Sequence, residues 1–359
     1  MSSESETQER LVGDGAHAGD SGPRFGAVGA SGRAVWLQGA SGRTAAAVKQ
    51  YTGVGSVLIA LIITLSIISP QFRTSANLIN VLDASAVLLV ASVGLTFVML
   101  VGGFDLSLGS TMALASVGIW ELLRFGFPAW ATVVLVLLGS FVLGAAVNGF
   151  LVAKVRISFL VVTLGTMSVY QGLAYLSTDG QSIPLYQYTW LTELGSGTFL
   201  SVPYIVLIAF GVLLLGIFVL RYVGYGRVIY AIGGNPAAAR MAGINITAIR
   251  ISVWGVAALC AGLAALINTS RLQAATPDSG ISIVLLAGSA VLVGGTSFRG
   301  GKGTLLGTLF GVLFMAVVQN GIVLVGIASA WQDIIIGVVL ILAVLIDRLR
   351  NGTGENVDD

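Results

Sequence analysis

Charge is the scarcest commodity in this chain. Only 9% of its 359 residues are Asp, Glu, Lys or Arg, against about a quarter in a soluble domain, while 56% are hydrophobic. Mean hydropathy is +0.94. A water-soluble globule is thereby excluded, and a polytopic membrane protein is indicated. Histidine is almost absent too: the single one, His17, lies in the polar N-terminal stretch. No histidine-based metal site, catalytic triad or proton relay can therefore be built inside the membrane. The single cysteine, Cys260, falls within an apolar run, forms no intramolecular disulfide and reads as a small core residue. No nucleotide-binding loop is present. The nearest approach, Gly300-Gly301-Lys302-Gly303, has Thr296 where the first glycine is required and Gly303 where Ser or Thr should follow the lysine. The chain is not expected to hydrolyse ATP, to be an enzyme, or to carry a cofactor of its own. Alternating ten-residue segments are missing as well, which excludes a β-barrel.

What is abundant is long apolar runs and small residues, including 48 glycines, which let membrane helices approach closely. Residues 1–50 are rich in Gly, Ser and Ala, with a ten-residue repeat from Gly29 to Val48; they read as a disordered arm with no secretory signal. Residues 351–359 are a short polar tail. Between them, residues 51–350 form the transmembrane domain, in which ten apolar runs are predicted: 53–69, 78–101, 107–123, 128–152, 157–176, 201–221, 249–270, 281–294, 303–325 and 331–347. The runs flanking Gly102-Gly103-Phe104-Asp105 are the least certain, because that segment is able to break a helix within the membrane. The run 281–294 is short for a perpendicular span.

Loop charge tests this count. With the N-terminus inside, Lys154, Arg156, Arg221, Arg227, Arg240, Arg250, Arg299, Lys302, Arg348 and Arg350 all fall on the cytoplasmic side. Of the eighteen Lys and Arg only Arg73, Arg124 and Arg271 lie outside. That asymmetry is the positive-inside distribution, and it places both ends in the cytoplasm.

Within the runs, Asp105 stands out among the few carboxylates (Asp83, Glu121 and Asp333 are the others), since intramembrane acids are functional suspects. It precedes Leu106-Ser107-Leu108-Gly109, so capping the next helix is favoured over contact with a solute or ion. Uncharged amides and hydroxyls are commoner, among them Asn148, Gln171 and Asn320. They serve equally for helix–helix hydrogen bonds and for a path taken by a hydroxyl-rich neutral solute. Two segments share a pattern, Leu100-Val101-Gly102-Gly103 and Leu292-Val293-Gly294-Gly295, a weak sign of internal duplication.

The most informative stretch is Gly226 to Ile246, a polar island between apolar runs. Asn235 is a good N-cap, Pro236 suits the first helical position, Ala237 to Ala242 propagate, and Gly243 supplies the left-handed stop. Such a helix reaches only about 10 Å, so it lies on the membrane surface and suits docking of a cytoplasmic partner. The alternative is a short basic helix resting on lipid.

From about Asn77 to Arg350 the chain resembles the permease subunits of ribose-type (monosaccharide) ABC importers. The blocks that carry the resemblance are GGFDLSLGS (Gly102 to Ser110), NGFLVAKVRISFLVVTLGTMSVYQGLA (Asn148 to Ala174), GRVIYAIGGNPAAARMAGI (Gly226 to Ile244), VGGTSFRGGKGTLLGTLFGVL (Val293 to Leu313) and LILAVLIDRLR (Leu340 to Arg350). The resemblance implies an all-α inner-membrane subunit of a prokaryote with about ten transmembrane helices, working as a homodimer. It implies a cytoplasmic ATP-binding partner, usually two fused nucleotide-binding domains that hold ATP and Mg²⁺, and an extracytoplasmic sugar-binding protein; no nucleic acid is involved. Asn235, Pro236, Arg240 and Gly243 then belong to a coupling helix at about 235–243. Gly102, Gly103, Asp105, Asn148, Gln171 and Asn320 are the candidates for the path and its gate. One departure is that Val284 and Leu286 stand where relatives often carry an acidic pair, which weakens transfer of sugar identity. Permeases for branched-chain amino acids or nucleosides are the nearest alternative. A stand-alone carrier or channel is disfavoured by the lack of paired intramembrane acids, and an intramembrane enzyme is remote.

Overall fold

A computed structural model describes residues 53–278, 280–328 and 330–350; the predicted N-terminal arm and C-terminal tail lie outside the described residues. The chain is predominantly helical in this region. α1 (Gly53–Ile68) is followed by a 3₁₀ turn at Pro70–Arg73, then by α2 (Ser75–Leu100), α3 (Leu108–Arg124), α4 (Ala129–Val155) and α5 (Phe159–Thr178). A loop carrying the short α6 (Thr189–Ser196) leads to α7 (Tyr204–Tyr222), and α8 (Gly224–Gly234) and α9 (Pro236–Met241) precede α10 (Ile246–Leu272). α11 (Ile281–Val293), α12 (Leu305–Leu324) and α13 (Ala330–Arg350) complete the domain. Seven helices, α2, α4, α5, α7, α10, α12 and α13, are long and apolar enough to cross a membrane. The other three apolar runs form the shorter helices α1, α3 and α11, the last two of 17 and 13 residues. An all-α polytopic membrane protein is the result.

Small residues decide which helices sit at the centre. α2 and α10 are the most enclosed, with 83% and 72% of their apolar windows buried, whereas α13 is 6% buried. Gly94 of α2 lies so close to α10 that a Cβ there would stand 2.7 Å from that of Cys260. Gly144 and Gly149 of α4 let its backbone meet Trp254 and Ile251, and Gly262 of α10 accommodates Ser140. Without a hydrophobic drive between helices in lipid, such backbone proximity supplies the dispersion contacts that hold the bundle. Cys260 is buried here, in agreement with its reading as a small core residue.

Hydroxyls and amides add cross-links. Thr96 and Thr308 join α2 to α12 at 2.9 Å, and Ser116 joins Thr269 between α3 and α10 at 2.7 Å. Asn77 and Asn320 form a reciprocal amide pair, each Nδ2 donating to the other's Oδ1 at 3.1 and 2.8 Å. A double-mutant cycle with Asn77→Ala and Asn320→Ala, read by unfolding in detergent, is expected to give a coupling of about 1 kcal/mol. Strict additivity of the two single variants would show that the pair contributes nothing.

The loops divide between the two ends of α10. At its N-terminal end the Gly301 N–H donates to the Leu100 carbonyl (2.9 Å), Tyr230 Oη donates to the Gly303 carbonyl (2.9 Å), and Phe104 stacks on Phe298 with ring centroids 5.7 Å apart. At its C-terminal end Ile183 and Pro184 pair antiparallel with Ala275 and Ala274, and Gly195 packs on the Ser270 carbonyl. The segments carrying Arg156, Arg240, Arg299 and Lys302 all belong to the first end.

The paired Leu-Val-Gly-Gly segments make the same helix stop, one residue out of step. After α2 the N–H groups of Gly102 and Gly103 reach the carbonyls of Met99 and Val98, both at 3.0 Å, with Gly102 at φ +79°. After α11 the N–H groups of Gly295 and Thr296 reach those of Leu292 and Val291, with Gly295 at φ +87°. Each is a Schellman closure that needs a residue tolerant of the left-handed conformation.

Both stops are followed by non-helical backbone, and the segment after α2 is buried. Residues 101–107 are enclosed, with Phe104, Asp105 and Ser107 all nearly inaccessible. Irregular backbone at membrane depth survives only where protein covers it. α3 consequently starts inside the bundle, and its Gly109 meets Gly280, which precedes α11, backbone to backbone. Ser116 of α3 is level with Thr269 near the end of α10, so Gly109, seven residues earlier, lies about 10 Å deeper. The chain between α10 and α11 has folded back to that depth, which is why α11 is short.

Candidate coupling and translocation site

α9 is built by local chemistry. Asn235 adopts extended φ −156°, ψ 97°, and its Oδ1 accepts the Ala238 N–H at 3.0 Å. Pro236 occupies the first turn. The Gly243 N–H reaches the Arg240 carbonyl and the Ile244 N–H that of Ala239, with Gly243 at φ +78°. Helix Pro236–Met241 is one residue shorter than the predicted run, since Ala242 has already left helical geometry. Only Ala239 is buried; Asn235, Pro236 and Arg240 are exposed, and Met241 is 90% exposed. Two residues after the glycine, Asn245 Oδ1 accepts the Ala248 N–H at 3.0 Å and starts α10. The short helix is thus joined by a tight, doubly capped corner to the central helix of the bundle. On its other side Gly233 of α8 touches the Leu100 carbonyl and Gly301.

The buried turn between α2 and α3 holds a polar cluster. Asp105 Oδ1 accepts the Ser107 N–H (2.9 Å) and the Ser107 hydroxyl (2.6 Å), while Asn148 Nδ2 donates to Ser107 Oγ (2.7 Å). Asp105 therefore stabilises an Asx turn ahead of α3 instead of capping the helix's own first N–H groups, which lie too far along the chain. Asn148 is presented by the Leu143–Gly149 segment of α4, wound as π-helix, an irregularity that occurs frequently at functional sites. Three atoms of the cluster and its surroundings are buried without a partner among the described residues: Asp105 Oδ2, Asn148 Oδ1 and the hydroxyl of Tyr170 on α5. Asp105→Ala strands the Ser107 N–H and hydroxyl, and a loss of about 1–3 kcal/mol is expected from the unfolding midpoint. Asp105→Asn keeps an acceptor and should recover most of it; an equal loss would show that the charge, not the acceptor, matters.

The sequence candidates therefore separate. Asp105 and Asn148 meet through Ser107, while Gly102, Gly103 and Arg240 line one cavity of about 420 Å³. Gln171 is elsewhere: its Nε2 donates to the Pro277 carbonyl (2.7 Å), and nearby Tyr175 donates to Asp278, tying α5 to the chain before α11. Asn320 is engaged with Asn77. Ser107 and Tyr170, which belong to the cluster, were not among the candidates. Ser107 was visible only as a residue flanking Asp105, and Tyr170 carried no periodic or motif signal to set it apart from lipid-facing aromatics.

Residues 77–344 match the family described as branched-chain amino acid transport system / permease component. The chain is 38% identical over 300 residues to the ribose import permease protein RbsC of Escherichia coli K12, covering 82% of this chain and 92% of the relative. The chain belongs to the ABC importer permeases. It is 37% identical to RbsC of Bacillus subtilis, over 82% of this chain and 91% of the relative. It is 35% identical to the L-arabinose ABC transporter permease protein AraH of Azospirillum brasilense, over 83% and 88%. No solved structure matches. As an ABC importer permease the protein is a multi-pass inner-membrane subunit and not an enzyme; ATP hydrolysis belongs to a partner ATPase, and a periplasmic binding protein delivers the cargo.

Proposed function

We propose that two copies of this permease form the path for a monosaccharide, a pentose or hexose, and that α9 seats in a groove of an ATPase with two fused nucleotide-binding domains. ATP and Mg²⁺ belong to that ATPase in this reading, and the chain crosses the membrane ten times with both ends in the cytoplasm. The observation that carries the reading is α9 itself: a rigid, capped, exposed helix whose corner with α10 leads into the most buried part of the bundle. A push on α9 is delivered to α10, and through Gly233 to the stop after α2. The elements that would move are then those flanking the Asp105–Ser107–Asn148 cluster. Sugar as cargo rests on the ribose and arabinose permeases to which the chain is similar.

Affinity purification of the tagged chain from its own membranes tests the assembly. A stoichiometric ATPase with two nucleotide-binding domains is expected. A chain that purifies alone and still moves solute in liposomes would refute the reading. The family's description names branched-chain amino acids. A cognate binding protein that holds leucine and ignores sugars would replace the sugar by an amino acid.

A further inference from the structure

The cavity beside the coupling corner has a composition that docking of α9 does not explain. Its walls come from the turn after α2 (Gly102), the end of α4 (Arg156), α9 (Arg240) and the first turns of α10 (Thr247, Arg250, Trp254). Three arginines face one space of about 420 Å³, and no carboxylate lines it among the described residues. None of the three makes an ion pair among those residues, and the Nε of Arg250 is buried without a hydrogen-bond partner. Arg240 lies near enough to repel Arg250. Arg156 is held at φ 66°, ψ 32°, a left-handed position that glycine normally takes at a helix end. Like charges gathered around a partly enclosed space destabilise one another unless an anion joins them.

We propose that this cavity binds the phosphate group of a phosphate ester on the cytoplasmic side. Guanidinium forks match phosphate oxygens in pairs, and the volume falls in the range of small-molecule sites. The ester comes either from an anionic lipid headgroup of the inner leaflet or from a soluble phosphorylated metabolite; both present the same oxyanion. A bound phosphate would clamp the α9–α10 corner to the α4–α5 turn and to the break after α2, so its occupancy would bias the elements that α9 moves. The proposal stands apart from the docking role of α9, because it is read on the permease alone.

The test uses the full-length chain without an ATPase. In detergent, inorganic phosphate and glycerol phosphate are titrated against chloride of equal ionic strength while the unfolding midpoint is followed. In nanodiscs, phosphatidylcholine is compared with phosphatidylcholine plus phosphatidylglycerol, and co-purifying lipid is identified by native mass spectrometry. A saturable rise in midpoint in the first arm assigns a soluble ester; retention of phosphatidylglycerol in the second assigns a headgroup. In whichever arm responds, Arg250→Gln should weaken the effect about ten-fold or more, with Arg250→Lys intermediate because it keeps charge but loses the fork. Should Arg250→Gln fail to fold, Arg156→Gln, in an exposed turn, carries the same expectation. Absence of any response beyond chloride in both arms overturns the proposal, as does an effect undiminished in these variants. If Arg250→Gln weakens only the capture of the ATPase, the cavity is a socket for a protein carboxylate and the phosphate assignment falls.

Discussion

Gly109→Val is expected to destabilise the permease by about 3 kcal/mol or more, enough to deplete folded protein from the membrane. A Cβ at residue 109 would lie 2.2 Å from the Gly280 carbonyl oxygen, and one at residue 280 would lie 2.0 Å from that of Gly109. Both obstacles are backbone, so neither side can yield by changing a rotamer. Alanine at Gly139 or Gly211, where nothing lies within 4 Å, should be neutral or slightly stabilising, whereas Gly109→Ala already meets the obstacle. Surviving folded protein and unfolding midpoints in detergent give the comparison. Equal behaviour of Gly109→Ala and Gly211→Ala would show that the two helix starts do not meet as described.

Uptake should fall to background when Asn235 and Pro236 are both replaced by valine, with the protein still folded and inserted. The loss of one cap weakens a helix by about 1 kcal/mol, a small sum for a bundle held by many buried contacts. Its effect on α9 is disproportionate, because six residues are too few to stay helical without their cap. The disordered corner would no longer transmit displacement to α10. Vesicle uptake assayed with the cognate binding protein and ATPase separates the outcomes. Wild-type uptake from the double variant would remove α9 from the coupling path, whereas lost uptake with an intact ATPase complex would place the defect in transmission and not in docking.

Features set by neighbouring residues were legible in advance. Asn235, Pro236 and Gly243 announce α9 because a cap, a preset φ and a left-handed stop act within a few residues. Gly102-Gly103 marked a break within the membrane for the same reason. The grouping of basic loops was readable because the membrane sorts charge before packing begins. Features set by packing were not readable. α2 and α13 have the same mean hydropathy, 2.1, yet one is enclosed and the other faces outward. Hydropathy reports transfer from water, and lipid and a protein interior are equally dry. The infolding before α11 depends on Gly109 and Gly280 meeting across about half of the chain's length, and the π-winding that presents Asn148 depends on α10 lying against Gly144 and Gly149. Loop charge already grouped Arg250 with Arg156 and Arg240, but its neighbours in the cavity come from three other segments.

The central position of α10 has a consequence for how the permease is made. α2 and α4 leave the ribosome long before α10, yet Gly94, Ser140 and Gly144 have their partners on that later helix. Until it arrives, a groove of small residues is open to lipid on the half-made chain. Folding of this bundle therefore cannot proceed helix by helix behind synthesis; it waits for one late insertion and then closes around it. A chain truncated before Ile246 would be inserted but unpacked, the kind of substrate that membrane proteases clear.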